Sequence, residues 1–76
     1  MFYYTISTVA SNNAFLLTCQ KVEKNYQVHK QKLLVDVDGT CIQIYHAYGN
    51  EIRVLNDLEV DAVYVESDME LPEMME

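Results

Sequence analysis

Apolar and polar positions along this chain alternate with a period of two in most segments, and with a longer period in one. Phe2 to Val9, FYYTISTV, is aromatic and β-branched and carries no Gly, Pro or charge. Those residue types fit a pleated surface, so the segment predicts a strand, placed inside a sheet or under a helix because neither face is charged. Ser11-Asn12-Asn13 then interrupts it with side chains suited to turns and helix N-caps.

The next stretch has a different rhythm. Phe15, Cys19, Val22, Tyr26 and Leu33 are spaced to share one face of a helix at roughly 100° per residue. A helix over 13–32 is therefore expected, with Lys21, Lys24, Lys30 and Lys32 as a solvated basic ridge. Leu17 and Val28 fall on its outer side. The rival is a hairpin, whose second arm would alternate Tyr26 and Val28 with Gln27 and His29.

From Leu33 the period of two returns. Leu33–Val37 alternates into Asp38-Gly39, Thr40–Tyr48 runs into Gly49-Asn50, and Glu51–Leu55 leads to Asn56-Asp57. Asp-Gly between alternating runs is a strong hairpin signal, because a type I′ turn needs φ > 0 at both central positions. Val60–Glu66 closes the series, with apolar residues on both faces that place it centrally in the sheet. Val35, Val37, Ile42, Ile44, Ile52 and Val54 are expected to form one core face.

The pattern predicts an α+β fold, a small antiparallel sheet in the order β-α-β-β-β-β with one helix packed on one face. The alternative is a small all-β barrel. Residues 1–66 are expected to be a single compact domain, and 67–76, SDMELPEMME, an acidic and flexible C-terminal tail.

Length sharpens this picture. A chain of 76 residues buries only about 60% of the surface its unfolded form exposes. A cleft between layers is hard to build at that size, which lowers the expectation of an enzyme. Cys19 and Cys41 are two thiols in apolar contexts, too few for a disulfide scaffold. Met1–Thr5 has no basic segment ahead of an apolar run, and no apolar run approaches the roughly 20 residues of a membrane span. The expected location is the cytoplasm, or the host cytoplasm if the protein is viral.

Charge is unevenly spread. The net charge is −7, yet residues 1–32 hold four lysines against Glu23, while 51–76 hold nine acids against Arg53. Such a surface repels phosphate backbones, so no direct nucleic-acid binding is expected, and it favours a basic protein partner.

One string carries the look of catalysis. Leu34-Val35-Asp36-Val37-Asp38-Gly39-Thr40 resembles the first motif of haloacid-dehalogenase-type phosphatases. The resemblance would imply Asp36 as nucleophile, Asp38 as acid/base and a bound magnesium ion. It covers seven residues. The family's later lysine has no counterpart, since no lysine follows Thr40, and two more strands follow with no room for a crossover helix. The hairpin reading prevails. A calcium loop with Gly39 at its sixth position puts Leu34 and Tyr45 where carboxylates are required, and fails. Cys41 and His46 are an odd number of residues apart, so on one strand they face opposite ways. Cys19 with His29 or His46 stays open, and two distant histidines are too few for zinc. No catalytic residue, metal or cofactor is expected.

What remains is a small acidic non-catalytic binding protein that occludes a partner. Its candidate contact residues are Glu51, Asp57, Glu59, Asp61, Glu66, Asp68, Tyr45 and Tyr64. If the acids share one surface, they would imitate nucleic-acid phosphates against a basic groove. In overall character the chain resembles phage-encoded inhibitors, although no motif carries that likeness. The alternatives are an oligomeric accessory subunit, pairing copies through Tyr3, Tyr45, Tyr48 or Tyr64, and a small-molecule (nucleotide-like) binding module.

Overall fold

In the computed structural model, which describes residues 1–75, the chain forms six strands, one α-helix and a short 3-10 helix. Strand β1 (Phe2–Ser7) leads to helix α1 (Asn12–Asn25). Two two-residue strands follow, β2 (His29–Lys30) and β3 (Leu34–Val35). A meander of β4 (Cys41–Ala47), β5 (Asn50–Asp57) and β6 (Ala62–Ser67) comes next, and the 3-10 helix spans Pro72–Met75. The sheet is antiparallel throughout, ordered β1-β6-β5-β4-β2, with β3 also on β4. It is an open sheet with one helix on one face, as expected for the α+β reading, and is not a closed barrel.

Helix α1 starts where Ser11 caps it. Ser11 is extended, its Oγ accepts the Ala14 N–H at 3.1 Å, and its carbonyl accepts the Phe15 N–H at 3.0 Å. The β5–β6 hairpin holds the approach to this cap. Asn56 Oδ1 accepts the Ser11 N–H at 3.1 Å, and Asp61 Oδ1 accepts the Ala10 N–H at 2.8 Å. Phe15, Cys19 and Val22 are buried as their spacing predicts, with Thr18 beside them.

The helix ends seven residues short of the expected Lys32. Tyr26 is extended, although its N–H still bonds the Val22 carbonyl. Beyond it Tyr26 and Val28 both pack against the core. The second arm of the rival hairpin thus describes 26–30 better than a continued helix does. β-branched and aromatic residues gain more there from alternating burial than from helical backbone bonds.

Register corrects the expected core face. The first hairpin closes on Asp36, whose carbonyl accepts the Gly39 N–H at 3.0 Å and whose N–H bonds the Thr40 carbonyl at 2.8 Å. Its loop is Val37-Asp38-Gly39, three residues instead of two, with Gly39 at φ +91°. This slips the pairing by one residue, to Leu34↔Ile42 and Val35↔Cys41, and one residue of slip exchanges faces. Val37 is fully exposed and Val35 largely so.

The second hairpin turns on Tyr48-Gly49, both at positive φ, and pairs Ala47 with Asn50. A two-residue loop joins positions three apart, so even positions of β4 face odd positions of β5. Ile44 therefore lies across from Arg53, and Ile42 from Leu55, on the side opposite Ile52 and Val54.

The face under the helix carries Tyr45, Ala47, Ile52, Val54, Val63 and Val65, which close on Phe15, Cys19 and Val22. Each aliphatic side chain buried this way stabilises the fold by roughly 1.5–3 kcal/mol. Strand β6 is central, as expected. Strand β1 stands at the sheet's edge and not in its interior. Residues 67–76, expected as a flexible tail, begin with buried Ser67 and place Leu71 and Met74 in the core. Leu71 N–H donates to Tyr4 Oη at 2.8 Å. Glu76 lies outside the described residues.

Candidate interaction surfaces

The Asp36–Thr40 string is a turn in fact. Asp36 Oδ1 accepts the Val37 N–H at 2.7 Å, and Asp38 Oδ1 accepts the Thr40 N–H at 2.9 Å. Both carboxylates hold backbone donors on an exposed loop, where residues 31–39 are all solvent-facing. Thr40 Oγ1 is turned inward and accepts the Leu58 N–H at 3.0 Å, tying this loop to the β5–β6 turn.

Neither histidine shares a sheet face with Cys19 or Cys41. Cys19 is buried under the sheet, and burial pushes its thiol up from the ordinary range despite a hydrogen bond with Tyr45. A thiol held protonated is a poor nucleophile. Both histidines lie elsewhere, on the opposite sheet face, where β2 sets His29 directly across from His46. His46 Nε2 in turn sits 3.7 Å from Glu51 Oε1. Sequence spacing gave no hint of this pairing, because it depends on the helix ending early enough for 29–30 to join the sheet. Among the described residues no three His, Cys, Asp or Glu side chains converge as a metal site.

Tyr45 is removed from the candidate contact surface. Its ring is fully buried in the core, and its hydroxyl donates to Glu23 Oε2 at 2.6 Å. Burial and that bond drive the phenol's pKa far upward. Glu23 also meets Lys30 Nζ at 3.4 Å, so this cluster joins helix, core and edge strand.

The uncovered face is set by cross-strand rows. One runs Tyr3–Glu66–Arg53–Ile44 and the next Thr5–Tyr64–Leu55–Ile42–Leu34. The six acids fall into two groups on this hairpin. Glu51, Glu66 and Asp68 stand at its open end, and Asp57, Glu59 and Asp61 at its turn. Glu51 and Asp57 are six strand positions apart, about 20 Å at a rise of roughly 3.4 Å per residue.

Most of these carboxylates already hold something. Arg53 Nε bonds Glu66 Oε1 at 3.2 Å, and its Nη1 pairs with Glu51. Burial disfavours the guanidinium charge, but these bonds outweigh it and raise its pKa. Asp57 Oδ2 accepts the Tyr64 hydroxyl at 2.9 Å, and its Oδ1 accepts the Glu59 and Val60 N–H groups. The Tyr64 bond, opposed by slight burial and helped by the two amides, holds the Asp57 carboxyl below its ordinary range. Tyr64 itself is pushed up to about 12, by burial first and by Asp57 second. Asp68 Oδ2 takes the Glu51 N–H at 3.3 Å. Glu59 is exposed and belongs to none of the ion pairs among the described residues.

No family model, curated protein or solved structure matches this chain. No helix of the described residues is long and apolar enough to cross a membrane.

Proposed function

We infer that this is a non-catalytic protein-binding module that occludes a basic partner surface with the uncovered face of its sheet. The observation that carries the reading is the make-up of that face. An apolar row lies between two acidic groups about 20 Å apart: half-buried Tyr64 and Ile42 flank packed Leu55, and Leu34 stands exposed at its end. A protein surface with cations flanking an apolar patch complements this pattern. A ladder of phosphates does so less well, since the Tyr64–Leu55–Ile42 row carries no charge and Arg53 beside it adds a cation, so the nucleic-acid-mimic version of the reading is the weaker one. An occluding protein of this size suits the inhibitor role expected from composition, whether phage-encoded or not.

The test is selection of peptides from a displayed random library against the immobilised protein at low salt. Binders should combine Lys or Arg with an aromatic or aliphatic residue, and should weaken steeply as salt rises. Glu59→Lys with Asp68→Lys should abolish them. Both residues are exposed, and the one bond given up, from the Glu51 N–H to Asp68 Oδ2 at 3.3 Å, is itself exposed, so unchanged melting of the variant is the control for the fold. A selection without basic enrichment, or binders indifferent to both substitutions, overturns the reading.

A further inference from the structure

The two edges of the sheet are finished differently. On one side β4 is covered by β2 and β3, which break the edge into two-residue pieces around Lys30 and Lys32. On the other side β1 is six residues long, and no strand of the described residues lies beyond it. FYYTIS holds no Lys, Pro or other charge. Natural edges are normally blunted by such residues because bare N–H and C=O groups recruit another strand. Among the described residues a bulge between Thr5 and Ser7 is the irregularity on this edge.

A groove of about 300 Å³ opens beside that edge, on the helix side of the sheet. Ile6, Ala14, Leu17 and Met74 line it, and Lys21 is the one charged residue on its wall. Leu17 is the residue that misfits the helix's buried face, and it stands 56% exposed here. Lys21 has no ion-pair partner among the described residues. An open strand beside an apolar groove is the arrangement that strand-addition sites use: main-chain bonds supply affinity, and a pocket for alternate side chains supplies specificity.

We propose that β1 and this groove form an acceptor site for an extended segment of a partner protein. The segment pairs with β1 as an added strand, inserts one aliphatic or aromatic side chain between Ile6 and Leu17, and places an Asp or Glu against Lys21. The charge of the groove selects this occupant over a second copy of the chain. A second β1 brings no acid, so it would leave both Lys21 side chains unpaired. The site meets the outer face only at Thr5 and differs from it in sign, and it does not rest on that face binding anything.

The experiment is selection from the same displayed library on the Glu59→Lys/Asp68→Lys protein at 150 mM salt, followed by amide-resolved NMR titration with the best synthetic peptide. Expected are binders with one large apolar residue and a nearby acid, whose addition shifts amides of β1 and α1. Leu17→Glu should weaken binding about tenfold or more, the equivalent of about 1.4 kcal/mol. Lys21→Glu should weaken it several-fold, with Lys21→Arg retaining it. Both positions lie at the groove's rim, and unchanged melting of the variants separates loss of the site from loss of the fold. Three outcomes overturn the proposal: no acidic-apolar binders, shifts confined to other strands, or a concentration-dependent dimer that Ile6→Lys dissolves and that excludes peptide.

Discussion

The two faces of this sheet come from the same alternating strands and end in different states. Under the helix, Tyr45, Ile52, Val54, Val63 and Val65 are all at 0% exposure. The buried polar groups there are also answered: Gln43 Nε2 donates to the Gln31 carbonyl at 2.6 Å, and Ser67 Oγ to the Met69 carbonyl at 2.6 Å. On the outer face Ile42, Ile44, Arg53 and Tyr64 are half-buried, and Leu55 alone is fully packed. One helix and a 3-10 turn suffice to cover one side of a 76-residue chain. Stability concentrates on that side, and the outer side is left half-covered.

The largest test of this division compares two isoleucines that sequence patterning would place together. Ile52→Ala opens a cavity in the covered face and should cost about 3 kcal/mol, while Ile44→Ala should cost about 1 kcal/mol or less. Urea unfolding midpoints of the two variants measure the difference. Equal losses would mean that both faces are buried in solution.

Next in size are the turns that decide which residue meets which face. Gly39→Val should cost about 2 kcal/mol or more, because a β-branched residue is strained at positive φ. A Cβ there also approaches Leu58 Cδ1 at 2.9 Å, although that side-chain end can yield. Gly49→Ala, at φ +76° with open space around it, should cost roughly 1–2 kcal/mol from backbone alone. Thermal melts should rank them in this order.

These same turns mark the limit of what the sequence discloses. Element types, the helix N-terminus and the buried trio Phe15, Cys19 and Val22 are legible, since caps and periodicity are local. The face assignment is not. Asp38-Gly39 supports a two-residue loop and a three-residue loop with Gly39 at its end about equally well, and the difference of one residue moves Val35 from the face of Ile42 to that of Cys41. The face of Tyr45 is set by the second hairpin: a two-residue loop, at Tyr48-Gly49 or one residue later, puts odd positions of β4 across from even positions of β5. An amphipathic tyrosine fits an interface as well as a core, and the reach of Glu23 to its hydroxyl, which makes it a core residue, lies beyond local pattern.

Alkaline pH probes the covered face through its phenols. Tyr26 is raised to about 12, by burial first, and Tyr45 lies higher still for the same leading reason. A raised folded pKa means that the unfolded chain loses its phenol proton first. Stability is therefore full below about pH 10, and is lost as pH climbs through the folded values near 12. The melting temperature should fall over that range, with the absorbance of phenolate appearing together with unfolding. Tyr45→Phe removes the hydrogen bond to Glu23 at a cost of about 1 kcal/mol near neutrality, and it should flatten the alkaline fall.

The smallest effect on stability belongs to the outer face, and there it says the most. Glu59→Lys should change unfolding free energy by about 0.5 kcal/mol or less, as exposed charges do, and Asp68→Lys by up to about 1 kcal/mol, since it also gives up the exposed bond to the Glu51 N–H. Glu66→Lys differs. It takes one of two carboxylates from Arg53 and adds a like charge beside it, so part of any change it causes is structural. If the outer face is the contact surface, the first two variants lose a basic ligand while melting normally. If they keep the ligand, and Leu17→Glu on the opposite side removes it, binding belongs to the edge of β1 and the acids serve the fold alone.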